Sequence, residues 1–222
     1  MRLFLTSLVI PAALIASQAQ AKEDTQHWET LNVTVNLPDN FKLNSESIFR
    51  SGDERGFYEI EQNVMVGKKL NKNVTAWLGY TFNPTYNQGT FRAREHRFRQ
   101  QVNFDNVAQI GKVKLGGRIR TEERWREGRT GTGWRLRPQV KASMPFVGKS
   151  TFTVSHESFI NLNTTSFQTV SGYDRMRNAA SVNVPLAKNV SVDVGYLNQH
   201  GFVRNGEDTS DNVLTLGLSA TF

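Results

Sequence analysis

The sequence predicts an all-β protein, a transmembrane antiparallel up-and-down β-barrel of about 10–12 strands, behind a cleaved signal peptide. Three observations predict it. Apolar and polar residues alternate with period two through segments of about ten residues, the length a tilted membrane strand requires. The connections between segments alternate between short and long, as turns on one rim and loops on the other would. A mean hydropathy of −0.47, with no continuous apolar helix after the N-terminal stretch, suits a wall in which only every second side chain meets lipid.

Residues 1–21 carry Arg2, then an apolar stretch, then Ala19-Gln20-Ala21. Charge, apolar run and small-x-small site in that order make a secretory signal peptide. Thr6, Ser7 and Pro11 interrupt the apolar run, which falls short of the roughly 20 residues of a spanning anchor. Residues 22–222 then form one domain, the barrel, without linker, low-complexity tract or clear repeat. The chain has no cysteine, which excludes a disulfide framework and thiolate chemistry. Export and a barrel together predict a bacterial outer membrane, with its lipid and lipopolysaccharide as surroundings.

The first strand places Leu31, Val33, Val35 and Leu37 on one face and Asn32, Thr34 and Asn36 on the other, before the turn Pro38-Asp39-Asn40. Residues 41–50 form the next, and a polar link, 51–56, leads to a strand with Tyr58, Ile60, Val64 and Val66 on one side and Glu59, Glu61 and Asn63 on the other. After Asn71-Lys72-Asn73, the series Val74, Ala76, Leu78, Tyr80, Phe82 alternates cleanly, and 83–92 reads as a longer polar loop. Three strands follow with one apolar and one charged face, marked by Phe98 and Val102, by Leu115 and Ile119, and by Trp134, Leu136 and Val140. Further strands span about 151–160, 173–184 and 190–198. The last alternates Leu214, Leu216, Leu218, Ala220 and Phe222 with Thr215, Gly217, Ser219 and Thr221. Its terminal aromatic, Phe222, resembles the C-terminal signal by which barrel-assembly machinery recognises clients. The segments number about eleven, and the even counts of bacterial barrels favour ten or twelve. A soluble β-sandwich would also alternate, but the shared segment length and loop alternation favour the barrel.

If the apolar faces meet lipid, the opposite faces line the lumen. Those positions are Glu46, Arg50, Glu59, Glu61, Glu95, Arg97, Arg99, Lys114, Arg118, Arg120, Glu122, Arg124, Arg135, Arg137, Lys141, Glu157, Arg175, Arg177 and Asp193. Twelve basic groups face seven acidic ones, so much of the formal net charge of +7 sits inside. That placement argues against nucleic acid as a partner. Two readings follow. In a narrow barrel Arg and Glu pair and fill the interior as a structural lock. In a wider one the surplus arginines leave a water-filled constriction that favours anions. The function expected is accordingly a small passive channel or a structural barrel with a charge-filled lumen.

The runs Arg94-Glu95-His96-Arg97-Phe98-Arg99-Gln100-Gln101, Arg118-Ile119-Arg120-Thr121-Glu122-Glu123-Arg124 and Trp134-Arg135-Leu136-Arg137, with Gly195-Tyr196-Leu197-Asn198-Gln199, resemble the family known as domain of unknown function 2490. The resemblance covers essentially residues 22–222, and implies an outer-membrane barrel and no particular activity.

One alternative is enzymatic. In a strand, positions i and i+2 share a face, so His156 and Ser158 stand together on the outward side, and Asp174 in the next strand could orient the imidazole. The pair is similar to the His-x-Ser of outer-membrane lipid A deacylases, which implies hydrolysis of acyl esters of lipid A or phospholipid. No histidine has metal-ligand spacing, and the glycines of 128–133 precede no helix, so no metal or cofactor is expected.

Overall fold

The computed structural model describes residues 21–222; the stretch expected to be a signal peptide, 1–21, lies outside the described residues except for Ala21. Eleven strands form the wall: β1 (Lys22–Asn36), β2 (Phe41–Gly52), β3 (Gly56–Lys69), β4 (Val74–Asn87), β5 (Thr90–Ile110), β6 (Val113–Arg126), β7 (Gly133–Pro145), β8 (Thr151–Asn161), β9 (Gly172–Ala187), β10 (Val190–Gly201) and β11 (Thr209–Thr221). Each pairs with its neighbours in sequence, and β1 closes the barrel against β11.

Among the described residues the strand number is eleven, neither ten nor twelve, and the closing pair is parallel, in register from Lys22↔Thr209 to Thr34↔Thr221. An odd number of alternating strands leaves the first and last running the same way. Their ladder is therefore parallel, slightly weaker per residue than an antiparallel one, but it leaves no open edge. At its end the Asn36 N–H donates to the Phe222 carbonyl at 2.7 Å, and the Phe222 N–H to Thr34 at 2.9 Å. As a result β1 starts at one rim and β11 ends at the other.

The long connections, 127–132, 162–171 and 202–208, share one rim, while short turns such as 70–73, 111–112 and 188–189 cross the opposite one. The stretch 83–92 is not a loop. β4 runs on to Asn87 and β5 starts at Thr90, leaving Gln88-Gly89 as a two-residue turn with φ of 51° and 74°. Tight hairpins need positive φ at both central residues, and glycine adopts it without a Cβ clash.

Tyr58 also departs from simple alternation. The β2–β3 register shifts between Arg50 and Ser51, and the extra residue of this bulge turns Tyr58 inward. It is buried, donating to Gln26 Oε1 at 2.6 Å and accepting from Trp28 Nε1 at 2.9 Å.

Elsewhere the period of two sorts the wall. Leu31, Val66, Leu78, Val140, Leu214 and Leu216 stand outward and are about half exposed or more. Inward, Arg99, Glu122, Asn63 and Thr81 have no accessible surface. A soluble core inverts this distribution. Closure is secured by the continuous backbone ladder and by the polar interior, with little apolar burial inside. Aromatic side chains gather at both rims. Phe57, Tyr86 and Phe91 stack at centroid distances of 5.4 and 6.0 Å, and Tyr173 with Phe202 at 5.2 Å, towards the long loops. Phe146 with Phe152 at 6.2 Å lies towards the short turns.

Candidate functional site

The β5–β6–β7 register sets Arg97 beside Arg124, Arg99 beside Glu122, and Glu122 beside Arg135. Because all of these point inward, a row of carboxylates is threaded through a larger set of guanidinium groups. Glu122 accepts from Arg135 Nε at 2.9 Å and Arg137 Nη1 at 2.7 Å, with Arg99 Nε at 3.3 Å and Arg120 Nη1 at 3.9 Å. Glu61 bridges Arg97 at 3.1 Å, Arg50 at 3.2 Å and Arg99. Glu95 takes a two-pronged contact from Arg124, 2.8 and 3.0 Å, together with Arg97 at 2.6 Å and Arg126 at 3.1 Å. Glu157 takes another from Arg137, 3.1 Å at each oxygen, and one from Arg118 at 2.8 Å. Arg50 also reaches Glu59. These links form one connected network from β2 to β8, and paired, charge-assisted contacts of this kind offset the desolvation of each ion.

The remaining inward charges sit at its margins. Glu46 accepts from Asn63 at 2.8 Å, Asp193 from Ser181 at 3.3 Å, and Lys141 reaches Asp105 at 2.8 Å; Lys114 is exposed near the short turns. Arg175 contacts Asp174 at 3.2 Å. Among the described residues no carboxylate pairs with Arg177, whose Nε donates to Gln199 at 2.9 Å. Its guanidinium lies between two aromatic rings, 4.7 Å from the centroids of both Trp28 and Phe159. Phe159, inward and 1% exposed, also carries Arg137 at 4.3 Å, Arg135 at 5.3 Å and Arg175 at 5.7 Å. The negative ring face supplies part of the countercharge that carboxylates do not. Trp28 and Phe159 occupy inner positions that a polar-in, apolar-out pattern assigns to polar residues, so residue type alone does not find them.

Two cavities lie on either side of the network. A cavity of about 120 Å³ lies on the long-loop side among Arg50, Arg97, Arg126, Arg175 and Arg177, and one of about 240 Å³ on the short-turn side among Asn44, Glu46, Trp77 and Arg118. Between them Asn63, Thr81, Arg99 and Glu122 have no accessible surface. The 162–171 loop folds over the long-loop mouth. Gln168, 4% exposed, accepts from Arg124 at 3.0 Å and donates to Asn163 at 2.9 Å. In the 202–208 loop the Val203 N–H and the His200 imidazole hold the Asp208 carboxyl below the usual carboxylate range.

The outer wall carries a second arrangement. His156 on β8 lies opposite Asn178 on β9, and Ser158 opposite Met176. Asn178 Oδ1 is 2.7 Å from His156 Nδ1, Ser158 Oγ is 3.1 Å from Nε2, and the Tyr173 hydroxyl is 2.9 Å from Ser158 Oγ. An acceptor on Nδ1 fixes the proton there and leaves Nε2 free to accept from the serine. Asp174 is not part of this cluster. A bulge in β8–β9 between Phe159 and Ile160 shifts the register, and Asp174 contacts Arg175 instead. Asn178 and Tyr173 escape a reading of the sequence because the strand partner across the 162–171 loop cannot be counted without the bulge. An apolar groove of about 430 Å³ adjoins the cluster, lined by Leu115, Val140, Ala142 and Val154 and bounded by His156 and Asn178.

The family model described as "Protein of unknown function (DUF2490)" matches residues 25–210. The chain belongs to this family. A relative, an uncharacterized protein of Methylorubrum extorquens strain AM1, is 27% identical over 98% of this chain and 96% of its own length. Among solved structures the DUF2490 barrel is similar to an anion-selective porin from Comamonas acidovorans, with a TM-score of 0.41 and 13% identity over 82% of this chain. The chain spans about half, 53%, of that porin's length.

Proposed function

We propose that this DUF2490 barrel is an exported outer-membrane protein whose lumen is closed by the arginine–glutamate network, a structural barrel rather than an open channel. The observation that carries the reading is the waist at Arg99 and Glu122, both without accessible surface. Membrane placement is supported by the outward belt of Leu, Val and Ile between two rims of aromatic side chains, the pattern of a barrel seated in lipid with its aromatics at headgroup level. Its surroundings are then outer-membrane lipid and lipopolysaccharide. The strand ending in Phe222 is the element we assign to recognition by barrel-assembly machinery.

The test is conductance in planar bilayers. Purified barrel gives no stepwise current at neutral pH, and steady current from the wild-type protein overturns the lock. A second reading, an anion-favouring passage, is favoured by the surplus of arginine around the long-loop cavity. It requires a current that falls when Arg175 and Arg177, which line that cavity, are changed to Ser.

Strand parity gives a second prediction. With the short turns on the periplasmic side, the parallel β1–β11 seam puts Lys22 at the cell surface. An epitope inserted just before Lys22 is stained by antibody on intact cells, while one inserted at 188–189 is stained only after permeabilisation. The reverse pattern overturns the orientation.

A further inference from the structure

We propose that Ser158, His156 and Asn178 form a catalytic triad on the outer wall that hydrolyses acyl esters of membrane lipids, with the adjoining groove holding the acyl chain. The proposal rests on the membrane placement above but not on the closed lumen. Several polar clusters interrupt the outer wall, including Gln100–Thr121–Glu123 and Tyr196–Asn212–Asn198. Neither contains an imidazole. Tyr80 and His96 are joined, but no aliphatic hydroxyl stands beside them. Only at Ser158, among the described residues, does a hydroxyl meet an imidazole at 3.1 Å whose other nitrogen is held by an amide oxygen at 2.7 Å. Nucleophile, base and orienting group are thereby in the sequence that acyl transfer needs.

Two further features point to a lipid ester. The groove begins at His156 and Asn178 and is mainly apolar beyond them, lined by Leu115, Val140, Ala142, Val154 and Ala179 with Lys141 and Ser155. It lies on the side of His156 away from the long-loop rim, where His156 pairs with Val140 and the next outward rung is Ala142 with Val154. Ser158 is one rung nearer the rim, close to the Tyr173–Phe202 pair. An acyl chain in the groove therefore points towards the bilayer centre while its ester carbonyl reaches Ser158 at headgroup level.

The chemistry balances without a cofactor. Ser158 Oγ attacks the ester carbonyl carbon as its proton passes to His156 Nε2. Collapse of the tetrahedral intermediate breaks the carbonyl–alkoxy bond, and the proton on Nε2 goes to the departing alcohol. Water then attacks the acyl-serine, gives a proton to Nε2, and releases fatty acid as Ser158 regains its proton. The Asn178 amide oxygen holds Nδ1–H throughout and positions the ring. The Tyr173 phenol, 2.9 Å from Ser158 Oγ, is the donor within reach of the oxyanion.

The test uses refolded full-length protein in mixed detergent micelles, one arm with a diacyl phosphatidylethanolamine and one with lipopolysaccharide, reading released fatty acid. Release in either arm that falls at least about 10³-fold in Ser158→Ala supports the triad and identifies the lipid class. No release in either arm from wild-type protein that migrates as a folded barrel overturns it, as does release that Ser158→Ala leaves unchanged. For Asn178 the readout is the pH profile. Asn178→Asp places a carboxylate beside the imidazole, favours its protonated form, and moves the acid limb of kcat/KM to higher pH. An unmoved limb removes Asn178 from the mechanism.

Discussion

Replacing Glu122 with Ala lowers the unfolding free energy of the barrel by about 3–5 kcal/mol. Glu122 has no accessible surface and is the shared acceptor of Arg135 and Arg137, with Arg99 beside it at 3.3 Å. Without it, guanidinium groups from β5 and β7 face one another in a space water does not enter, and the cost is the uncompensated charge rather than the lost contacts. Glu122→Gln keeps the shape and two polar atoms but not the charge, so it falls between wild type and Ala. The measurement is the urea midpoint at which the folded, fast-migrating gel band is lost. The double variant Glu122→Leu with Arg135→Met recovers part of the loss, because Arg135 has no other carboxylate partner among the described residues and its removal takes one uncompensated charge out of the waist. A Glu122→Ala midpoint matching wild type would show that water reaches the waist, and the closed lumen would fail with it.

What the sequence made legible follows from the strictness of a two-residue period. Once Leu115 and Ile119 or Trp134 and Leu136 are set outward, Arg118, Arg120, Arg135 and Arg137 must face in, and the burial of Arg120, Arg135 and Arg137 follows from that geometry. The period fails where a bulge adds a residue. Tyr58 and Asp174 stand at such sites, and neither sequence context marks the insertion. Strand parity was illegible for another reason. Direct counting of segments gives eleven, whereas the even counts of other barrels point to ten or twelve, and nothing in β1 or β11 distinguishes a parallel partner from an antiparallel one. The turn at Gln88-Gly89 was hidden by the polarity of 83–92, whose inward members, Asn83 and Thr85, are polar because they face the network.

The network also explains why the lumen tolerates an excess of arginine. Its carboxylates come from β3, β5, β6 and β8, while the wall from β9 through β11 to β1 contributes the neutral groups Gln26, Trp28, Gln199 and Val213 and two aspartates, Asp24 and Asp211, that accept from Gln26 and Gln199 rather than from the network's arginines. Arg177 emerges on that neutral side. Its charge is met by amide oxygen and ring faces, a weaker arrangement than an ion pair, and this makes the neighbourhood of Phe159 the part of the interior most sensitive to loss of an aromatic ring.

Phe159→Ala is therefore expected to cost about 3–5 kcal/mol as a buried large-to-small change, but the informative variant is Phe159→Leu. In an ordinary core, a roughly volume-conserving apolar swap costs less than about 1.5 kcal/mol. Here leucine fills much of the space and removes the ring face from Arg137, Arg177, Arg135 and Arg175, which lie 4.3 to 5.7 Å from its centroid. A desolvated cation–π contact is worth about 2 kcal/mol or more, but the four share one ring and do not add, so the expected total for Leu is about 2–3 kcal/mol. Phe159→Tyr keeps the ring and stays near wild type provided its hydroxyl reaches water or a polar neighbour in the adjoining cavity. The urea midpoints of the three variants decide the matter. A Leu variant no worse than an ordinary core swap would mean that the guanidinium groups draw their countercharge from elsewhere in the lumen, whereas a Leu variant nearly as damaging as Ala would place most of the value of Phe159 in its electron-rich face rather than in its volume.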